Sequence, residues 1–452
     1  MLLIQYFRKR EFINFAIKKN IFFMKKTKTI FGLICLFVLT SCSSDTTSGS
    51  DDNIPLPPVL TDEIEVYQED LIDDNLVLVI ENSGETAYLI NKEGEKLFTW
   101  TFEDLLGNDF ELLPNGNAIG IFKTDNPSFN FGGYGGIVKI IEPNGTIVWE
   151  FEYASDTYLS HHDVEMLPNG NVLILVWELI NTDTSVENGA DTDHELYPEK
   201  LIEVNPNTDE IVWEWRSWDH IVQEFDDTKL NYGVIADNPQ RININYDIPS
   251  NGDLMHANGL DYDEVKDVIY LSINFYGEVW VIDHSTTSLE ATGATGGTYG
   301  KGGDLLYRFG NPTTYNNTFG NRLFYNNHFP NLIEDGNPGD GNLLIYMNGT
   351  NINQSTVFEF ELPDVFNLIP NTDNEPTVVW SYTHPDLYYG KISGANRLSN
   401  GNTLICEGDY GYWEVTPNGE VAWKYNGTKD AYWRGYPYDL DHDALAFLGL
   451  TF

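Results

Sequence analysis

Three of the nine histidines in this chain occupy equivalent places in a repeating pattern, and imidazoles that share a register can share a site. His162 lies five residues before Leu167, in His161-His162-Asp163-Val164-Glu165-Met166-Leu167. His256 takes that place in Met255-His256-Ala257-Asn258-Gly259-Leu260-Asp261-Tyr262, and His328 in Asn326-Asn327-His328-Phe329-Pro330-Asn331-Leu332-Ile333. Such a cluster supports three chemistries. It can ligate a metal, act as general acid and base, or contain a nucleophile that its neighbours stabilise. A histidine taken singly is more often a hydrogen-bonded structural residue; three in register point to a common site.

The elements that must position them are short strands. A turn returns as Leu113-Pro114-Asn115-Gly116-Asn117, Leu167-Pro168-Asn169-Gly170-Asn171 and Leu398-Ser399-Asn400-Gly401-Asn402. Asn-Gly supplies the positive φ values of tight hairpins. Closing strands end at Trp100, Trp149, Trp213, Trp380 and Trp423. A repeat of roughly 40–60 residues built from short strands is the signature of propeller blades. The expected fold is all-β, a six-bladed β-propeller of four-stranded antiparallel blades, at 64–104, 106–154, 158–218, 252–310, 324–383 and 390–426. The fourth blade has Leu305 to Gly310 where the others have the Trp. The first lacks an obvious innermost strand, so the tail at 428–452 is placed to return and close the ring. The innermost strand of each blade lines the channel, which brings the three imidazoles together. Asn108 and Ser393 are the counterparts in the second and sixth blades, and loops at 180–200 and 219–250 cover one mouth. No segment after Cys42 shows helical periodicity.

The amino end reads as an address. Lys25-Lys26-Thr27-Lys28, an apolar run from Ile30 to Leu39 and then Leu39-Thr40-Ser41-Cys42 make a secretory signal over 1–41. Its last four residues resemble a bacterial lipobox, with Cys42 as the lipidated residue and Met24 as the better start. The apolar run is too short to span a bilayer. Residues 42–62 read as a disordered tether and 63–452 as the propeller domain. The expected location is the cell envelope, on the periplasmic or outer side of the outer membrane, held by a lipid anchor. Of 25 bases eight precede Cys42, and of 69 acids only Glu11 does, which leaves 17 bases against 68 acids and a net −51. That surface repels phosphate backbones, so nucleic acid is not an expected partner. Cys406 alone remains beyond Cys42, in an apolar strand, and reads as a core thiol. His220 and His384 follow closing strands and read as surface groups. The acids Asp183, Glu187, Asp191 and Asp193 resemble a calcium loop only in composition.

The ordered series resembles the bacterial arylsulfate sulfotransferases over about residues 80–426. It runs from Gly84–Gly94 and Trp100, through His162-Asp163 with its turn, His256-Ala257-Asn258 with Asp261-Tyr262, Leu271-Ser272 and Ile282-Asp283, to His328 and Asp335-Gly336. The resemblance implies sulfuryl transfer from an aryl sulfate to a phenol, independent of a nucleotide donor or any cofactor. His328 matches the nucleophile that carries the group. His162 and His256 match its partners, one placed to protonate the leaving phenol oxygen. Asn258, Asn274 and Asn327 are the expected substrate contacts, and no metal ligand is expected. One departure weighs against full equivalence: Asn274 stands where the family pattern has an arginine. An amide donates a hydrogen bond without charge, and losing one charge-stabilising donor can cost about 10²–10³ in rate. Arg308, Lys391, Arg397 and Arg434 are the candidate substitutes. Two rival readings stay open: a propeller that binds an anionic or aromatic ligand without turnover, and a metal-dependent extracellular enzyme.

Overall fold

The computed structural model describes residues 57–427 and 431–452. The signal, Cys42 and most of the tether lie outside the described residues. The molecule is a six-bladed β-propeller, and each blade runs from an innermost strand outward by antiparallel pairing. Blade two comprises Leu106–Leu112, Ala118–Lys123, Gly136–Ile141 and Ile147–Glu152. Blade three comprises Tyr158–Met166, Val172–Glu178, Glu199–Asn205 and Glu210–Arg216. Blade four is Ala257–Asp263, Val268–Ile273, Glu278–Asp283 and the short Tyr307–Phe309. Blade five is Asn327–Leu332, Leu343–Met347, Thr356–Glu361 and Thr377–Tyr382.

Both ends of the chain close the ring. Tyr432–Asp439 is the innermost strand of blade one, paired with Asn75–Glu81 and followed by Thr86–Ile90 and Lys96–Thr101. Ile64–Tyr67 does not begin blade one, as the sequence reading had it. It adds a fifth, outermost strand to blade six, beyond Gly394–Arg397, Thr403–Glu407, Gly411–Val415 and Val421–Asn426. Its residues, half-buried except for the exposed Glu65, fit an edge, whereas the fully buried Asn75–Glu81 fits a strand with neighbours on both sides.

The recurring turn repeats its bonds. In the first copy Leu113 N–H donates to Asn117 O, Gly116 N–H to Leu113 O, and Asn117 N–H to Asn115 Oδ1. The copies at Leu167 and Leu398 make the same three bonds. The glycine of each lies at a φ of 83–91°, where any other residue would be strained. The closing tryptophans of blades two, three, five and six stitch each to the next, whereas Trp100 of blade one makes no indole hydrogen bond and packs edge-on to Phe110 of blade two. Trp149 Nε1 donates to Asp209, Trp213 to Thr286, Trp380 to the Pro417 carbonyl and Trp423 to the Lys92 carbonyl. In blade four the Tyr307 hydroxyl takes that role toward Asn374 O. An indole buried at such a seam is worth about 3–5 kcal/mol against alanine.

Among the described residues three short α-helices also form, Thr182–Glu187, Ser288–Ala291 and Asp443–Phe447, in segments without helical periodicity. Each spans about one turn and is held by its cap, too short to show an apolar period. His220 is not a surface group: it is fully buried, with Nδ1 on Asp304 and Nε2 on the Ala291 carbonyl. That pairing ties the loop after blade three to blade four. Cys406 is buried in blade six and free.

Candidate active site in the channel

The three histidines converge near one mouth of the channel, and their backbone is shaped for it. His162 and His256 both adopt the left-handed region, at φ 54° and 50°, and Phe329 beside His328 does so at 53°. Such a conformation costs a non-glycine residue roughly 1–2 kcal/mol. The pairing register shifts at the same places, between Ala257 and Gly259 and between His328 and Asn331. These bulges turn the side chains out of the sheet and toward the axis.

The rings of His162 and His256 meet edge to face with centroids 4.9 Å apart. Trp433, from the innermost strand of blade one, lies 5.7 Å from His162 and 6.4 Å from His328. A glycine-rich loop closes over His162: a Cβ at Gly133 would fall 2.1 Å from His162 Nε2, so only glycine passes there. The Gly133 carbonyl accepts from His162 N–H and from Asn108, the blade-two counterpart of the histidines. Phe131 packs edge-on to Trp177 and Phe275 stacks on His256, so flat apolar surface adjoins the imidazoles.

Each histidine is held through Nδ1. His328 Nδ1 lies 2.6 Å from Asn348 Oδ1. The Asn348 NH2 is committed to the carbonyls of Tyr389 and Ile392, at 2.8 and 3.0 Å. Its oxygen must therefore accept, which places the proton of His328 on Nδ1 and the lone pair on Nε2. Burial holds this imidazole down to about 3, with the nearby His256 and Arg434 acting in the same direction against the Asn348 bond. His256 Nδ1 donates to Asp253 Oδ2 at 2.6 Å. His162 Nδ1 faces Nδ1 of its neighbour His161 at 2.7 Å, and His161 Nε2 reaches Glu199 at 2.9 Å. Burial, with His256 adding to it, drives both of these imidazoles well below the ordinary range. Among the described residues, Nε2 of His162, His256 and His328 makes no hydrogen bond within the chain.

The three expected amides fare differently. Asn274 lies beside His256, its N–H donating to the His256 carbonyl, and its Oδ1 accepts from Asn326. Asn258 is fully buried and donates to the Asn327 carbonyl, while Asn327 donates to Ser272 Oγ and the Glu278 carbonyl. These two lock the innermost strands of blades four and five together and do not open onto the channel. Of the candidate cations, Arg308 is sealed against Glu278 and Arg397 against Glu359. Lys391 is exposed. Arg434 adjoins the cluster and acts electrostatically on His162 and His328, but Asp163 takes both of its terminal nitrogens at 3.0 and 2.9 Å. Among the described residues no group of three or more His, Cys, Asp or Glu side chains has the geometry to hold a metal ion.

The family model for arylsulfotransferase (ASST) matches residues 62–434. The chain belongs to the arylsulfotransferase family. That match takes in the three histidines and the six blades up to the start of the returning strand Tyr432–Asp439. No curated protein matches the chain. Among solved structures it resembles a protein of unknown function from Bacteroides caccae, at 13% identity over 81% of this chain and 99% of that one, TM-score 0.46. It also resembles a periplasmic gluconolactonase of Pseudomonas aeruginosa, at 11% identity over 81% and 99%, TM-score 0.41. BamB from Moraxella catarrhalis matches at 12% identity over 83% and 91%, TM-score 0.36. Likenesses this distant carry no argument about activity.

Sequence reading passed over the groups that set the tautomers of this arylsulfotransferase-family channel. His161 and Asp253 were visible, being next to His162 and three residues before His256. Asn348 and Glu199 gave no signal, since each meets its histidine only through strand pairing.

The opposite mouth is acidic. Burial pushes Glu111 up to about 7, with Asp163 and Glu334 adding to it. Burial likewise pushes Asp261 up to about 8 against two backbone hydrogen bonds, with Asp163 and Glu111 adding. Folding therefore takes up protons at these carboxyls. Their contribution is whole below the unfolded values near pH 4 and is lost as pH rises through about 7–8. Melting followed from pH 5 to pH 8 should show stability falling by on the order of 2 kcal/mol, and the double variant Glu111→Gln, Asp261→Asn should flatten the fall.

Proposed function

We propose that this arylsulfotransferase-family propeller moves a sulfuryl group from an aryl sulfate to a phenol through a covalent intermediate on His328 Nε2. The observation that supports the reading is the fixed tautomer of His328: a neutral ring, its proton pinned on Nδ1 by Asn348 and its Nε2 without a partner in the chain, with His162 and His256 close enough to interact with it electrostatically. A neutral imidazole is a competent nucleophile near neutral pH. The Nε2 lone pair attacks sulfur, the S–O bond breaks, and its electron pair goes to the phenol oxygen, which takes a proton from a neighbouring imidazole. A second phenol then receives the group as that proton returns. His256, backed by Asp253, and His162 are the groups within reach of the proton and of the sulfuryl oxygens. The flat faces of Phe131 and Phe275 suit an aryl ring.

A second reading, ligand binding without turnover, is favoured by one observation: Asn274 brings no charge and Arg434 is already paired with Asp163. One experiment separates them. Purified full-length protein is given a chromogenic aryl sulfate with and without a phenol acceptor, and its intact mass is measured. Transfer predicts ping-pong kinetics and an acid-labile gain of one SO3 group in the absence of acceptor. Folded protein that binds aryl sulfates yet shows neither turnover nor adduct would establish the binding reading instead.

A further inference from the structure

A buried carboxyl stands behind the histidines, and among the described residues no lysine or arginine pairs with it. Glu199, at the start of the third strand of blade three, is fully buried, as is His161. Its Oε1 accepts from Ala257 N–H at 2.8 Å and its Oε2 meets His161 Nε2 at 2.9 Å. His161 is clamped flat on Trp177, with ring centroids 3.6 Å apart and planes 6° apart, and its Nδ1 meets His162 Nδ1 at 2.7 Å. Carboxyl, imidazole and imidazole thus form an unbroken line of hydrogen bonds that ends at His162 Nε2 on the channel.

We infer that Glu199 and His161 are positioning residues of a proton relay that makes His162 the acid and base of sulfuryl transfer. The inference rests on the reading of His328 as nucleophile. At rest the relay is neutral. Glu199 holds a proton on Oε2 and donates it to His161 Nε2, His161 donates from Nδ1 to His162 Nδ1, and His162 carries its proton on Nε2. When the S–O bond breaks, His162 Nε2–H protonates the leaving phenol oxygen. The His161 proton moves to His162 Nδ1 and the Glu199 proton to His161 Nε2, leaving Glu199 a carboxylate. The incoming phenol gives its proton to the bared His162 Nε2 as its oxygen attacks sulfur, and the relay returns to neutral. No atom is gained or lost over the cycle.

The groups around the line agree. Burial, helped by the charge of Asp253, raises Glu199 well above the carboxylate range, against its bond from the Ala257 amide. Burial and the neighbouring His256, His161, His328 and Arg434 keep His162 uncharged. A neutral imidazole that loses Nε2–H without a proton from behind would be left an imidazolate. The chain to Glu199 removes that cost, and it accounts for an acid sealed behind two histidines.

Glu199→Gln tests this. Its amide can hold the resting hydrogen bonds but cannot pass a proton. The infrared difference between wild type and variant at neutral pH should contain the carbonyl band of a protonated carboxyl, and its absence would overturn the resting state. Across aryl sulfates of graded leaving-group basicity, the variant should lose about 10²–10⁴-fold in kcat/KM with the most basic phenols and only a few-fold with the least basic. A loss equal for all donors would mean a structural role, and no loss would assign the proton to His256; either result overturns the relay. If Glu199→Gln does not fold, His161→Asn breaks the line one residue nearer the channel and is read the same way across the donors. If wild type turns over no aryl sulfate, the proposed function fails, and the infrared band still judges whether Glu199 is the protonated end of the line.

Discussion

An alanine at position 328 is expected to abolish sulfuryl transfer, lowering kcat/KM for aryl sulfates by at least about 10³-fold and removing the acid-labile adduct. The size of the effect follows from what is lost. Without Nε2 no covalent intermediate forms, and the two half-reactions would have to occur as one direct transfer between two phenols bound together. In the proposed transfer His162 gives its Nε2 proton to the leaving oxygen, and His256, held through Nδ1 by Asp253, stands at the head of the innermost strand of blade four rather than in the place that His328 takes in blade five. The fold should survive, because the strand carrying His328 is paired from Asn327 to Leu332 by backbone bonds that do not involve the ring. An unchanged melting temperature beside lost activity is therefore the expected pair of results. His256→Ala is the informative companion: with a donor whose phenolate leaves unaided, it should still accumulate the adduct. Turnover by His328→Ala within about tenfold of wild type would take the nucleophile's role from His328.

The charge balance of the channel explains why so much falls on hydrogen-bond geometry. The group moved in the proposed transfer is anionic, yet Asn274 is neutral and the nearby guanidinium of Arg434 is held in a bidentate pair by Asp163. All three channel imidazoles present a free Nε2, and burial keeps His162 and His328 uncharged. Stabilisation of three sulfuryl oxygens then depends on donors placed in a water-poor space rather than on a counter-ion. Such preorganised donors are worth more there than in water.

Much of this could be read from the chain because local chemistry repeats in it. The Leu-Pro-Asn-Gly-Asn turns and the Val-Trp strand ends each encode one hairpin and one seam, so counting them counts blades. Even blade four obeys the rule, with Tyr307 reaching Asn374 where a tryptophan would otherwise reach the next blade. The register of the three histidines follows from the same turns. What failed was whatever depends on the ring closing. Ile64–Tyr67 reads like the start of a blade, and only closure shows that it pairs with Val421–Asn426, more than 350 residues away. His220 reads as a surface group until blade four packs over it. Arg434 was one cation among four, and its place between Asp163 and the imidazoles depends on the last strand coming home to blade one.

The second large effect belongs to a residue that touches no substrate. Asn348→Leu is expected to lower kcat by about 10²–10⁴-fold while leaving KM nearly unchanged. In the native channel the asparagine is oriented from behind, by Tyr389 and Ile392, so that only its oxygen is offered to His328. Leucine keeps approximate volume and removes that acceptor. The His328 proton then gains by moving to Nε2, which faces the polar channel, and the nucleophilic lone pair turns to Nδ1 against an apolar wall. Nitrogen-15 shifts of a His-labelled protein should show Nδ1–H in wild type and Nε2–H in the variant. Loss of the two bonds to the carbonyls will lower stability as well, so activity is to be compared at a temperature where both proteins are folded. Asn348→Asp separates the two effects from another side. A carboxylate would keep an acceptor for Nδ1–H but would set its second oxygen against two carbonyl oxygens, so it should preserve the tautomer better than it preserves the fold. A folded Asn348→Leu protein with kcat within a few-fold of wild type would mean that the tautomer of His328 is set by something other than this amide.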